Sequence, residues 1–133
     1  MRAILPLFMV IAGCGNKGAN TLEFDVAVVA PGAASVIVDG KAMITPSGGA
    51  YSRGFQSLAE ASKVSGKIAT TNSDGSVRAM RDYAFGTYCA AVTPLLRETQ
   101  HYVEASDGSG AIVLSLDRVE CERTDGTGTV VTP

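Results

Sequence analysis

Three cysteines, a single histidine and thirteen carboxylates are the side chains of this 133-residue chain best suited to chemistry. A metal site would need ligands at characteristic spacings. Cys14, Cys89 and Cys121 show no Cys-x-x-Cys pair, and His101 stands alone, so no metal is expected. A Ser-His-Asp triad would pair His101 with a nucleophile, but no Gly-x-Ser-x-Gly elbow occurs. The carboxylates scatter over turns and polar faces, which leaves no acid/base pair to name. Asp74-Gly75, Asp107-Gly108 and Asp125-Gly126 lack the alternating ligands and closing Glu of a calcium loop, and turn chemistry accounts for them. No Gly-rich phosphate loop is present. The residues therefore nominate no catalytic group and no cofactor, and the expectation is a protein that is not an enzyme.

The N-terminus is more specific. Met1-Arg2 supplies one positive charge, and about ten apolar residues follow from Ala3 to Ala12. That is secretory-signal length and falls short of the roughly 20 apolar residues of a membrane span. Ile11-Ala12-Gly13-Cys14 resembles the lipobox of bacterial lipoproteins, with an aliphatic residue and two small ones before a cysteine. The resemblance implies cleavage before Cys14, a lipid on its sulfur and an acyl group on the new amine. It divides the chain into a leader (1–13), a flexible tether of small polar residues (14–21) and a domain (22–133). Two or more acyl chains hold a protein stably on a bilayer. Gly15 stands where an Asp would imply inner-membrane retention, so the resemblance points to the outer membrane, facing the periplasm.

Three thiols in an exported chain leave one over. With Cys14 assigned to the lipid, Cys89 and Cys121 remain to form a structural disulfide, as an oxidising compartment favours. Without Arg2 the chain has ten basic and thirteen acidic residues, a charge of about −3, so bulk attraction to nucleic acid is not expected. Basic residues gather between Arg53 and Arg81 and acidic ones between Glu98 and Asp125. Two opposed patches or cross-strand pairing would both follow from this, and pairing is favoured because no run reaches four like charges.

Behind these residues the pattern is of short strands. Leu22-Glu23-Phe24-Asp25-Val26-Ala27-Val28 alternates, placing Leu22, Phe24, Val26 and Val28 on one face and both acids on the other. Ser35–Val38, Asp39-Gly40 and Lys41–Ile44 predict a hairpin whose Asp-Gly supplies two positive φ angles. Val36-Ile37-Val38-Asp39-Gly40-Lys41 with Thr45-Pro46 resembles the PEGA-type β-sandwich module over about ten residues. Ser57-Leu58-Ala59-Glu60 has capping-box spacing, giving either a helix of about two turns ending at Gly66 or a strand pair broken near Lys63. Val77 to Met80 reads as a short strand. Tyr83 to Val92 reads as one long strand with Tyr83, Phe85 and Cys89 inward; the immunoglobulin arrangement of Tyr, Cys and Trp does not fit it. Gln100–Ala105 and Ala111–Arg123 flank a loop, and the parity change between Leu116 and Val119 predicts a β-bulge near Asp117-Arg118. Val130-Val131 adds an edge. The sum is about seven or eight strands, an all-β antiparallel sandwich or barrel with at most one short helix.

These elements suit a non-catalytic, lipid-anchored envelope protein that binds a protein or polymer partner. A second expectation is an inhibitor or exclusion factor resembling the membrane-bound lysozyme inhibitors, although Ser109-Gly110-Ala111-Ile112 is followed by Val113 where their loop carries Tyr. A third is a small hydrolase, for which no residues can be named, or a glycan-binding module, for which only Tyr51, Tyr83, Tyr88 and Tyr102 offer aromatic faces, and packing into the sheets competes for most of them. Intact-mass analysis of protein from native membranes is expected to show a chain that starts at Cys14 and carries acyl groups, and Cys14→Ser is expected to shift it to the soluble fraction. An unmodified Met1 terminus would remove the anchor and the compartment together.

Overall fold

The computed structural model describes residues 22–46 and 48–133; the leader, the lipobox with Cys14 and the tether lie outside them. Nine strands and a single helical turn make up the described chain. They are β1 (Leu22–Val29), β2 (Ser35–Val38), β3 (Ala42–Ile44), β4 (Ala50–Phe55), α1 (Leu58–Ala61), β5 (Ser65–Thr71), β6 (Val77–Ala84), β7 (Leu95–Ser106), β8 (Ile112–Arg123) and β9 (Gly128–Val131). A five-stranded sheet of order β9-β8-β7-β1-β4 packs on a four-stranded sheet of order β3-β2-β5-β6, so the all-β sandwich is open and forms no closed barrel.

The chain crosses between the sheets repeatedly, and this sets one departure from the expected antiparallel pattern. β1 leaves its sheet for the β2/β3 hairpin, returns as β4, leaves again for β5 and β6, and re-enters as β7. β7 therefore arrives beside β1 running parallel to it, from Glu23↔Arg97 to Val29↔Val103. All other pairs are antiparallel.

Turn chemistry decides where strands pair. Asp39 and Gly40 take φ of 58° and 71°, and Lys41 N donates to Val38 O at 3.2 Å, closing the predicted hairpin. A second device recurs. In Asp74-Gly75-Ser76 and Asp125-Gly126-Thr127 the Asp carboxylate accepts from both the amide and the hydroxyl two residues on, and the Gly adopts positive φ. Each closes a three-residue loop with matching backbone bonds, Gly75 N to Asn72 O and Gly126 N to Arg123 O. Asp107 repeats the carboxylate contacts with Ser109. These bonds to the ionised form hold all three carboxyls below their ordinary range.

The core is aromatic at one end. Phe24, Val26 and Val28 face inward from β1 as the alternation requires. Phe24 meets Phe85 at 4.9 Å and Phe55 at 5.7 Å between ring centroids, and Tyr83 extends the cluster through Phe85 at 5.2 Å. Between the sheets, Glu104 accepts from Arg78 Nε at 3.0 Å and from Thr70 Oγ1 at 2.8 Å, joining β6 and β5 to β7. In β8 the bulge is where parity demands it: His101 faces Arg118 and Tyr102 faces Leu116, leaving Asp117 unpaired across. Leu114 and Val119 are then both buried.

Three expectations are corrected. The capping box forms, with Glu60 N donating to Ser57 Oγ and Gln56 N to Glu60 Oε1, but α1 lasts one turn. Gly66 is not its C-cap; it lies within β5, opposite Tyr83, because pairing β5 between β2 and β6 satisfies more backbone than a second helical turn would. The run Tyr83 to Val92 is also not one strand. β6 begins at Val77, runs past Met80 and ends at Ala84, and Gly86 at φ 82° turns the chain into a loop that reaches β7 at Leu95. Phe85 and Cys89 are buried nonetheless.

The structure joins Cys89 in that loop to Cys121 in β8, 32 residues apart. Closing a loop of this length restricts the unfolded chain by about 3 to 4 kcal/mol in the chain-entropy treatment. The double variant Cys89→Ala/Cys121→Ala is expected to lose stability of that order in urea titration, with an unchanged strand signature by circular dichroism. A loss below about 1 kcal/mol would show that the sheets hold the loop without the crosslink.

A tyrosine-lined cationic groove

At the aromatic end of the sandwich a groove of about 960 Å³ opens between the sheets. The four tyrosines of the chain, Tyr51, Tyr83, Tyr88 and Tyr102, all line it. They arrive on β4, β6, the loop after β6, and β7. Four cations and two acids border them: Lys41, Arg53, Lys67 and Arg81 against Asp39 and Asp82. Four positive less two negative charges leave the lining at +2, on a chain whose formal net charge is −2.

The floor is built first. Gly66 in β5 carries no Cβ, so the Tyr83 ring from β6 lies over its backbone; a Cβ there would collide with the Tyr83 phenol and with Asp39 Oδ1. Tyr83 Oη donates to Asp39 Oδ2 at 2.7 Å, and Asp39 Oδ1 accepts from Lys67 N at 3.0 Å. Arg53 Nη1 approaches the same carboxylate at 3.9 Å while its guanidinium sits 5.2 Å from the Phe55 ring centroid. Burial, with the adjacent Asp39 carboxylate, pushes the Tyr83 phenol well above its ordinary range, so Tyr83 stays a hydrogen-bond donor throughout the physiological range.

The other half of the floor rests on a buried polar ladder along β7. Glu98, Gln100 and Tyr102 occupy alternate positions and all face inward. Tyr102 Oη donates to Gln100 Oε1 at 2.7 Å, and Gln100 Nε2 donates to Glu98 Oε2 at 2.6 Å and to Ala84 O at 2.8 Å. Burial pushes the Tyr102 phenol up to about 12. Arg81 lies over the Tyr102 ring, 5.4 Å from its centroid, and spends one N–H on Leu114 O at 3.1 Å. Tyr83 and Tyr102 are thus buried at their hydroxyl ends, whereas Tyr51 and Tyr88 are half-buried on the walls.

Most charges pair across strands, within the groove and outside it. Arg97 reaches Glu23, Asp25 and Glu122, Lys67 meets Asp82, and Arg78 meets Glu104. His101 lies on the outer face with Nε2 2.9 Å from Glu120 Oε1, and that hydrogen bond holds Glu120 below its ordinary range. Among the described residues no three His, Cys, Asp or Glu side chains converge as metal ligands. Cys14 lies outside them. No family model, curated protein or solved structure matches this chain.

The tyrosines and the basic stretch were legible separately as candidate groups, but their convergence was not, because it depends on the sheet crossings. The inward placement of Glu98 and Gln100 had no signal, since two polar residues on the inward parity of a strand contradict the alternation that finds strands.

Glu98 is fully buried, and its Oε1 has no hydrogen-bond partner among the described residues. Burial raises its carboxyl above the ordinary range, outweighing Gln100 and the backbone amides of Gly86 and Cys89, which favour the charged form. The folded protein therefore holds this proton more tightly than the unfolded chain. The associated stability is complete below the unfolded carboxyl range, near pH 4.5, and is lost as pH rises through the folded value. Glu98→Gln keeps an acceptor for Gln100 Nε2 and removes the titration, so the melting temperature of the variant is expected to rise relative to that of the parent as pH climbs above about 4.5. Parallel curves across pH 4 to 8 would contradict this.

Proposed function

We propose that this chain is a lipid-anchored envelope protein whose β-sandwich binds a polymer through the tyrosine-lined groove, without catalysing a reaction on it. The anchor is argued from Ile11-Ala12-Gly13-Cys14, the export it implies and the pairing left to Cys89 and Cys121. The binding role is argued from one observation above the others: every tyrosine in the chain lines the same groove, from four different segments.

Aromatic side chains offer large contact area for few rotamers to freeze, which is why they concentrate at recognition surfaces. Tyr83 and Tyr102 are buried and spend their hydroxyls on Asp39 and Gln100, so they form a floor without an unpaired polar atom, and the exposed ring surface is that of Tyr51 and Tyr88. Tyr51 and Tyr88 are half-buried in the lining, one on an edge strand and one in a crosslinked loop. An open, polar groove between two sheets accommodates a chain segment of repeating units better than it encloses a small molecule. Among such chains, sugars present apolar ring faces for stacking and hydroxyls for the bordering cations and carboxylates.

Full-length protein in detergent is expected to sediment with insoluble cell-wall glycan, and Tyr51→Ala and Tyr88→Ala are each expected to raise the unbound fraction severalfold without lowering the melting temperature by more than a few degrees. Protein that remains wholly in the supernatant, or variants that sediment like the parent, would overturn the reading.

A further inference from the structure

We infer that the ligand of this groove is an acidic glycan, a sugar chain bearing carboxylates, and that Arg81 is the residue that reads the acid. This rests on the polymer-binding reading and narrows it to one class of ligand.

The cations of the groove and of β6 differ in how fully they are satisfied. Arg53 has Asp39, Lys67 has Asp82 and Arg78 has Glu104. Arg81 is half-buried in the groove and has no carboxylate partner among the described residues; its one hydrogen bond there goes to a backbone carbonyl. A guanidinium offers five N–H donors in a planar fork that matches a carboxylate with two parallel bonds. The Tyr102 ring beneath it and the bond to Leu114 O fix the plane of that fork, so little freedom is lost when an anion docks.

Charge placement supports the same conclusion. A chain with an excess of acids gathers four cations and two acids around one groove, so the groove lining carries a net positive charge that favours anions. Lys41, at the tip of the β2/β3 hairpin, is exposed and forms no ion pair among the described residues, giving a second point charge for a neighbouring unit. The half-buried rings of Tyr51 and Tyr88 supply the stacking surface that an inorganic anion would not use. Carboxylate on a sugar ring satisfies the fork and the rings together.

The test is calorimetric titration of the full-length protein in detergent with trigalacturonic acid, its methyl ester, inorganic phosphate and single-stranded oligothymidylate. Trigalacturonic acid is expected to bind about tenfold more tightly than its ester, and more weakly as salt rises from 50 to 300 mM. Arg81→Gln is expected to remove that tenfold preference, Arg81→Lys to restore part of it, and Lys63→Gln, outside the groove, to leave it unchanged. On the unmodified protein, the Nε–H resonance of Arg81 is expected to shift on saturation, a readout that does not depend on any variant folding. Equal binding of acid and ester overturns the acidic-ligand inference while a sugar-binding groove stands. No binding of either saccharide overturns the acidic-glycan inference, whereas the polymer-binding reading falls only if the protein also fails to sediment with insoluble glycan. Phosphate binding as tightly as the trisaccharide, or oligothymidylate binding more tightly, overturns the assignment to a glycan.

Discussion

Tyr83 donates to Asp39 across the bare backbone of Gly66, and the aromatic end of the sandwich is organised around that contact. Asp39 sits at positive φ in the tip of the β2/β3 hairpin, a conformation that Asp tolerates better than most residues. From there its carboxylate bonds the phenol of β6 and the Lys67 amide of β5 and faces the Arg53 guanidinium of β4. One side chain thus ties three strands of one sheet to the edge of the other. The ring it holds belongs to the Phe24, Phe55 and Phe85 cluster on one side and to the groove on the other. A larger residue at 66 would lift that ring and break core and groove in one step.

The loop after β6 has no ladder to hold it, so its position comes from other forces. Cys89 is bonded to Cys121, Gln100 reaches back to Ala84 O, and the amides of Gly86 and Cys89 face the Glu98 carboxyl. The buried ladder Glu98, Gln100 and Tyr102 therefore serves two ends at once: it fixes the loop that carries Tyr88, and it fixes the ring that supports Arg81. Burying a carboxyl is costly, and replacing buried polar groups by apolar ones is often neutral or favourable. Here an apolar substitute would leave Ala84 O and the Tyr102 hydroxyl without partners. The ladder is maintained by what surrounds it.

How much of this could be read in advance follows from the range of each interaction. Local signals were reliable where the physics is local: the alternation of β1, the Asp39-Gly40 turn, the Ser57 to Glu60 capping box, and the bulge forced by the parity change before Val119. Errors arose where distant pairing overrode local preference. Gly66 resembles a helix terminus in its own neighbourhood, yet it is bare because a ring from β6 lies across it. Tyr83 to Val92 is β-prone throughout, yet Gly86 bends it and a crosslink takes the place of a ladder. β7 runs parallel to β1 only because the chain visits the second sheet twice, which no window of ten residues encodes. The groove is the extreme case, since its four tyrosines come from segments separated by up to half the domain.

On the proposed reading, the energetics of the groove suit a protein held at a surface. Two half-buried rings and one free guanidinium are a modest recognition set, and two of the four tyrosines contribute shape more than new contacts. Such a site binds a single short ligand weakly, because stacking and a partly solvated ion pair must offset the lost freedom of both partners. A polymer changes the arithmetic. Repeating units give many equivalent registers, and many copies of the protein confined by lipid to one plane engage the same chain at high effective concentration. Weak contacts then sum to firm attachment that still exchanges unit by unit. An open groove with a cationic border, on a domain otherwise acidic, is a form that tethering makes sufficient; a freely diffusing binder would need a deeper pocket.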